Sequence, residues 1–167
     1  HGPIVKLDQE NNVAYTKKRT WDGVELESLL GWIHSTRVKN FDEWLSQAER
    51  MALNINWYYA DKDGNIGYAF TGKYPRRSEK HDNRLPQSGA GHMEWRGLLP
   101  FDYTPRVFNP KQGFLANWNN KPAVSVNNPD EFWYSWSLGD RIDIFINLVQ
   151  LIWMGEHMDL LTNQFIV

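Results

Sequence analysis

The chain has 167 residues, enough for one domain with its own core, and its net charge of −2 favours neither nucleic acid nor an anionic membrane as a partner. Cysteine is absent, which excludes thiol catalysis, disulfides and thiolate metal sites. No apolar run approaches the roughly 20 residues of a membrane-spanning helix.

Aromatic residues are the unusual part of the composition. The chain contains nine tryptophans, seven tyrosines and eight phenylalanines. Large aromatic side chains line pockets for apolar ligands, but they also fill ordinary cores, and composition leaves both interpretations open.

The first 35 residues predict two strands and a helix. The strands are "IVKL" and "VAYTKK", joined by a polar turn over residues 8–12. Apolar residues then recur at near-helical spacing over residues 23–35, with Trp32 beside them: Val24, Leu26, Leu29, Leu30 and Ile33. The opening His1-Gly2-Pro3 has neither Met nor the basic region of a signal peptide. Because Met is missing, we expect a processed chain or an excised fragment.

A second helix has a clearer start. Asn40 is a suitable N-cap, and Glu43 follows three residues later as in a capping box. The apolar stripe that should face the core consists of Phe41, Trp44, Leu45, Ala48 and Ala52.

A hairpin follows, in which "INWYYA" and "NIGYAF" flank residues 61–64. The sequence "DKDGN" in this turn also suggests a calcium loop. An EF-hand loop requires glycine at its sixth position and glutamate at its twelfth, whereas here Gly64 is fourth and Gly72 is twelfth. An ordinary Asp-Gly turn is therefore favoured.

The second half is dominated by loops. Residues 71–113 are rich in Gly, Pro and Arg, and a loop region of this length is usually functional or covers a site. A helical pattern starts near Trp136, with Ile142, Phe145, Leu148, Val149 and Ile152 on one side. We found no internal repeat and predict one domain.

The sequence contains no recognisable complete set of catalytic residues. The five histidines are scattered without HExxH spacing, and neither a GxSxG elbow nor a glycine-rich phosphate loop is present. Three asparagines in "FLANWNN", Asn117, Asn119 and Asn120, either end a strand or present amide donors. Such a donor can stabilise an oxyanion, but no nucleophile accompanies it.

The run "NWYYADKDGNIGYAFTGKYPRR…HDNRLPQSGAGHMEWRGLLPF…NPKQGFLANWNN", with "AYTKKRTWDG" and "LGDRID", closely resembles the penicillin acylases, which are N-terminal nucleophile hydrolases. The resemblance is near-continuous over residues 1–150 and matches an interior portion of the family's β chain. Residues 151–167 form a tail that does not resemble the family.

The resemblance implies an α+β fold that is part of a four-layer αββα sandwich, incomplete in this chain. It also implies a bacterial, periplasmic or secreted amidase that acts on a small-molecule amide. Its nucleophile is a serine at the N-terminus of the β chain, whose own α-amine is the base. That serine lies outside this chain, so the remainder of the β chain and an α chain are expected partners, and the isolated chain should be inactive.

Site residues follow from the same resemblance. Asn119 matches the oxyanion-hole asparagine, and Arg141 matches the arginine that orders this asparagine and the serine. Trp32 and Ile55 match residues bordering the pocket for a phenylacetyl-type acyl group. The residues alone favour ordinary roles: Arg141 as a surface or helix-N-terminal ion-pair residue, and Trp32 and Ile55 as core residues.

A structural calcium ion is the cofactor that the resemblance implies. Asp130 matches a side-chain ligand, and Asn83 occupies a position that contributes a backbone carbonyl. The other ligands lie in segments outside this chain, so its site is incomplete here. A turn cap is the ordinary alternative for Asp130.

Two other functions remain open. One is an acylase of the same family with another acyl preference, such as an acyl-homoserine lactone acylase, which would differ in the pocket around Trp32 and Ile55. The other is a non-catalytic aromatic module that binds carbohydrate or peptidoglycan.

Overall fold

A computed structural model describes residues 1–82, 85–117, 120, 122–123 and 142–151. Its strands are β1 (Ile4–Asp8), β2 (Val13–Thr16), β3 (Asn56–Ala60), β4 (Ile66–Phe70) and β5 (Arg106–Phe108). The helices are α1 (Glu25–His34), α2 (Phe41–Arg50) and α3 over residues 142–151. Short 3₁₀ helices cover Ser35–Arg37 and Phe101–Tyr103.

The first two strands form the predicted antiparallel hairpin. In its turn the side chain of Asp8 accepts hydrogen bonds from the backbone N–H and the side-chain amide of Asn11, at 3.1 and 2.9 Å. Asn12 has a φ of +52°, a left-handed conformation that asparagine tolerates better than most residues. The polar turn predicted from the sequence therefore closes through its own side chains.

Helix α2 begins at the predicted cap. The Oδ1 atom of Asn40 accepts a hydrogen bond from the backbone N–H of Glu43 at 2.8 Å, and Glu43 accepts one from the backbone N–H of Lys39 at 2.9 Å. The predicted stripe faces the core, because Trp44, Ala48 and the following Ala52 are buried and Phe41 and Leu45 are partly buried. Both predictions for this helix are confirmed.

Helix α1 lies where it was predicted, but it packs through small residues. Ser28 and Gly31 are its buried positions, whereas most of the apolar stripe, including Leu26, Leu29 and Ile33, is exposed. A β-carbon on Gly31 would lie 2.9 Å from the carbonyl oxygen of Gln47, so glycine permits the close approach of α2. The helical spacing was correct, and the contact face differs from the apolar one.

The central sheet has the strand order β3-β4-β5, with antiparallel neighbours and β3 paired to β4 from Asn56↔Phe70 to Ala60↔Ile66. In the hairpin turn, Gly64 has a φ of +84°, which favours glycine.

Each face of the sheet has a core. The core against α2 contains Trp44, Ala48, Tyr59 and Ala69, and the opposite core contains Tyr68, Phe70 and Tyr74 with Leu99, Val107 and Leu115. The alternation of side chains along β3 and β4 supplies residues to both faces.

Helix α3 agrees with the predicted helical region near the end of the chain. Ile142 is buried, whereas Phe145 and Leu148 of the predicted stripe are exposed. In the described ranges, no helix is long and apolar enough to cross a membrane.

The α+β prediction is confirmed at the level of mixed helices and antiparallel sheet. A helical layer packs on one face of the β3-β4-β5 sheet. Strand β3 contacts α1 through Trp57 and Trp32 and is bonded through Asn56 to Asn117 and Asn120.

Candidate functional site

The structure describes two of the six predicted site residues. Trp32 lies in α1, and Ile55 immediately precedes β3. The other four lie outside the described residues, and their roles remain predictions: Asn83, Asn119, Asp130 and Arg141.

The residues on either side of the predicted oxyanion donor are held by Asn56. Its side-chain amide donates a hydrogen bond to the Oδ1 atom of Asn117 at 3.1 Å and another to the backbone carbonyl oxygen of Asn120 at 3.3 Å. Asn56 is the first residue of β3, whereas its partners lie 61 and 64 positions later. The sheet therefore anchors both ends of the segment that contains Asn119.

The orientation of Asn56 is fixed by a buried tyrosine. The hydroxyl of Tyr68 donates a hydrogen bond to the Oδ1 atom of Asn56 at 2.6 Å. Tyr68 pairs directly with Tyr58, so Asn56 is its diagonal neighbour across the β3–β4 ladder, a position that an aromatic side chain reaches. With Oδ1 occupied as an acceptor, the amide nitrogen of Asn56 faces the two oxygens of the 117–120 segment.

Two tyrosines pack together at the buried end of this network. Tyr68 and Tyr58 pack with ring centroids 5.2 Å apart, and burial raises the pKa of Tyr58 to about 12. The phenol of Tyr58 is thus neutral at neutral pH. The hydrogen bond from Tyr68 to Asn56 is partly buried, and such bonds strengthen where the local dielectric is low.

Trp32 contacts the sheet through a second tryptophan. Its ring stacks on that of Trp57 in β3, with centroids 5.7 Å apart and planes inclined by 25°. The ring centroid of Trp57 in turn lies 5.4 Å from that of Trp44 in α2. Trp32 itself remains 49% exposed, so its ring is supported from one side and open on another.

Ile55 extends the pairing of β3 with β4 by one position. Its carbonyl oxygen accepts a hydrogen bond from the backbone N–H of Thr71 at 3.0 Å, and its own N–H donates to the Thr71 hydroxyl at 3.4 Å. Side chains alternate in an extended strand, so we expect Ile55 to share a face with Trp57, the ring that supports Trp32. On this alternation, Ile55 lies on the face of β3 that carries Trp57, against which Trp32 stacks.

In the turn between β3 and β4, the carboxylate of Asp61 is bonded to neighbouring residues of the same hairpin. Asp61 accepts hydrogen bonds from the Asn65 side chain at 2.8 Å, the Asn65 backbone at 2.9 Å and the Tyr59 hydroxyl at 2.9 Å. These bonds, led by that of the Asn65 side chain, hold the pKa of Asp61 below its ordinary value. In the part of the chain that the structure describes, no three His, Asp or Glu side chains could hold a metal ion together.

A cleft of about 280 Å³ is lined by residues 17–21 and 52–54 together with Arg77 and Trp95. Its walls are basic and aromatic, with Lys18 and Arg77 both near the ring of Trp95, at 4.8 and 5.4 Å from its centroid. Neither Trp32 nor Ile55 lines it. Its basic lining does not suit an apolar acyl group.

The sequence alone did not identify Asn56, Tyr68 or Trp57 as parts of the site. Asn56 carried one usable signal, since asparagine is depleted in strands and stands here at the start of a strand rich in aromatic residues. Its partners are too distant in sequence for any local pattern to reveal them.

The chain is similar to one family of known proteins over most of its length. A family model described as penicillin amidase matches residues 1–163. The match continues past residue 150, and the boundary predicted there remains a prediction. The chain is 51% identical to penicillin G acylase of Escherichia coli over 142 residues, which is 85% of this chain and 17% of that protein.

A more distant relative is the acyl-homoserine lactone acylase QuiP of Pseudomonas syringae pv. syringae, with 30% identity over 57% of this chain and 12% of that protein. Among solved structures, the thermostable penicillin G acylase from Alcaligenes faecalis superimposes with a TM-score of 0.83 and 47% identity, covering 90% of this chain and 27% of that one. The chain therefore spans about a sixth to a quarter of the penicillin G acylase chains that it resembles.

Proposed function

Because the chain belongs to the penicillin amidase family, we propose that it is part of an amidase that removes the phenylacetyl-type side chain of a penicillin. The observation that carries the proposal is 51% identity to a penicillin G acylase over 85% of the chain. The term "complete acylase" is used below for the mature enzyme in which this chain is joined to the rest of its β chain and to an α chain.

The proposed reaction proceeds through an acyl-enzyme. The hydroxyl of an N-terminal serine outside this chain attacks the amide carbonyl, and the α-amine of the same serine accepts the proton. The amine of the β-lactam nucleus then leaves with a proton, and water hydrolyses the ester to release the acid. This division of labour agrees with the absence of a local nucleophile motif in the sequence.

In this mechanism, Asn119 donates its side-chain N–H to the oxyanion of the tetrahedral intermediate. One such donor typically contributes about 10²–10³ in kcat. Arg141 orders Asn119 and the serine. The anchoring of Asn117 and Asn120 by Asn56 supports the assignment, because an oxyanion donor requires a rigid mounting.

Trp32 and Ile55 are proposed to border the acyl pocket. An aromatic ring that is stacked on one side and half exposed on the other offers a flat apolar surface to a phenyl group. The neighbouring Trp57 holds Trp32 in place and belongs to the strand that follows Ile55.

We extend the proposal to the fold, which would be part of a four-layer αββα sandwich. A precursor would be processed into α and β chains, and the enzyme would act in a bacterial periplasm or outside the cell. The helical layer on one face of the sheet supports it. So do the exposed Leu26, Leu29 and Ile33 of α1, which another part of the enzyme would cover.

A structural calcium ion is also proposed. Asp130 would supply a carboxylate oxygen and Asn83 a backbone carbonyl oxygen, which are donors that calcium prefers. The ion would join this chain to segments that supply the remaining ligands. Metal analysis of the complete acylase, with Asp130→Ala as the comparison, tests this assignment; equal calcium content in both proteins would reject it.

A second candidate function is the hydrolysis of an acyl-homoserine lactone. The 30% identity to QuiP supports it. The two candidates share the serine mechanism and differ in the acyl pocket, where a phenyl ring and a long alkyl chain require different shapes.

Kinetics on the complete acylase test the proposal. We expect N-terminal sequencing to find a β chain that begins with serine, and kcat/KM for a phenylacetyl anilide to exceed that for a long-chain acyl-homoserine lactone. The reverse order would favour the second candidate. No hydrolysis of either substrate by a correctly processed enzyme would reject both.

A further inference from the structure

The side chain of Asn56 is held by hydrogen bonds on both its oxygen and its nitrogen. Its amide group makes three hydrogen bonds: it accepts one from Tyr68 and donates to Asn117 and Asn120. An asparagine that merely begins a strand has no need of partners 61 and 64 residues away. The three contacts together fix the position and rotation of one side chain.

The two donor contacts enclose a short segment. Only residues 118 and 119 lie between the two anchored positions, and consecutive Cα atoms are about 3.8 Å apart. Asn119 is therefore covalently adjacent to one residue bonded to Asn56 and two positions from the other. A displacement of Asn56 must be transmitted to both ends of this segment.

The hydrogen bond that Asn56 accepts from Tyr68 fixes which end of the Asn56 amide faces the core. Tyr68 is 7% exposed and packs in the core, so its hydroxyl is a fixed reference point for Oδ1 of Asn56. Rotation of the amide by half a turn would place Oδ1 against the two acceptor oxygens of Asn117 and Asn120 and would lose both donor bonds. The core of the sheet thereby sets which way the amide donors point.

We propose that Asn56, oriented by Tyr68, is a positioning residue of the amidase. Asn56 holds Asn117 and Asn120 so that the side-chain N–H of Asn119 can donate to the oxyanion. The inference rests on the proposed function of Asn119. An oxyanion donor acts on the transition state, where a displacement of about 1 Å can cost about 100-fold in rate. Asn56 does not touch the substrate in this role; it acts through Asn119.

A purely structural role is the alternative, and Asn65 provides a matched comparison. Asn65 also makes side-chain hydrogen bonds that join parts of the same sheet, donating to Asp61 at 2.8 Å and accepting from Asn109 at 2.8 Å. It lies at the opposite end of the β3–β4 hairpin. Loss of stability is expected for substitutions at both positions, but loss of turnover only at Asn56.

The test measures kcat and KM of the complete acylase on a phenylacetyl anilide, with rates divided by the number of reactive serines counted by active-site titration. Asn56→Asp keeps the acceptor for Tyr68 and removes the two donors. We expect kcat to fall about 10- to 100-fold with KM nearly unchanged, and Asn65→Ala to keep kcat. A kcat for Asn56→Asp within about twofold of the parent would overturn the proposal.

A double-mutant cycle identifies the route of the effect. If Asn56 acts through Asn119, then Asn56→Ala should slow the parent enzyme but leave the Asn119→Ala enzyme no slower. An equal loss in both backgrounds would show that Asn56 acts elsewhere and would reject the inference alone. Normal turnover of Asn119→Ala would instead reject the proposed function, so the two failures are distinguishable.

Tyr68→Phe covers the case in which neither Asn56 variant matures. It keeps the aromatic ring and removes the hydroxyl that donates to Oδ1 of Asn56. A decrease in kcat of about threefold to tenfold is expected from the loss of one neutral hydrogen bond. Unchanged kcat in this variant would contradict the proposed orientation of Asn56 by Tyr68.

Discussion

Trp32 of α1 stacks on Trp57 of β3 with ring centroids 5.7 Å apart. This contact connects a predicted pocket residue to the strand that also begins with Asn56. The two functions proposed for this region, acyl-group binding and support of the oxyanion donor, therefore depend on one strand.

Replacement of Trp32 should weaken acyl-group binding. For Trp32→Ala in the complete acylase, we expect KM for a phenylacetyl anilide to rise about fivefold to thirtyfold, because ~1–2 kcal/mol of aromatic contact is lost. Steady-state kinetics measure the change. Trp95→Ala, which removes a tryptophan from the basic cleft, is the control and should leave KM unchanged. Equal effects of the two substitutions would contradict a pocket at Trp32.

Gly31 should not tolerate alanine, although alanine normally stabilises a helix interior by about 0.5–1 kcal/mol. The added methyl group would lie 2.9 Å from the carbonyl oxygen of Gln47 and 3.0 Å from Cβ of Arg50. We expect Gly31→Ala to lower the free energy of unfolding by about 1–3 kcal/mol, as measured by urea denaturation of the chain. Ser46→Ala on the exposed side of α2 should change it by less than about 0.5 kcal/mol. A stabilising effect at Gly31 would show that α1 and α2 are farther apart.

Acid should weaken the β3–β4 hairpin through Asp61. Hydrogen bonds lower the pKa of Asp61 below its ordinary value of 3.8, so its charged form contributes stability above that value. This contribution is lost as the pH falls below 3.8 through the pKa of the folded state. We expect Asp61→Asn to flatten this part of the stability curve, measured by urea unfolding between pH 2 and 6. The neighbouring Asp63→Asn removes the same charge and should retain the slope; an unchanged slope in Asp61→Asn would refute the prediction.

The 167-residue chain alone should not hydrolyse a phenylacetyl anilide. It supplies the proposed oxyanion donor and pocket residues, while the nucleophilic serine is proposed to lie in another segment. Release of the anilide chromophore by the purified chain is the measurement. Turnover above that of buffer, abolished by a substitution within this chain, would place a nucleophile here.

Local signals explain which parts of the fold were predictable. The cap at Asn40 and the turn at Gly64 depend on residues within a few positions of one another, and both were recognised correctly. The α1 stripe had the right period, but the contact with α2 uses Ser28 and Gly31. Periodicity indicates where a helix is, and it does not show that apolar residues will be covered within this part of the chain.

The site was less accessible to sequence reasoning than the fold. Asn56 is joined to Asn117 and Asn120 only by tertiary structure, so neither spacing nor composition could reveal the network. Family resemblance selected Asn119 and Arg141, which lie outside the described residues, while the structure identified a support that the resemblance did not include. The predicted oxyanion donor and the residues bonded to Asn56 belong to the same four-residue stretch, 117–120.

The most direct test of the proposed amidase role is kcat of the Asn119→Ala variant of the complete acylase, expressed per titrated serine. We expect a fall of about 10²–10³ with the folded state retained, as judged by circular dichroism, since one oxyanion-hole donor is removed. A kcat within about twofold of the parent enzyme would remove Asn119 from the mechanism and contradict the function proposed for this chain.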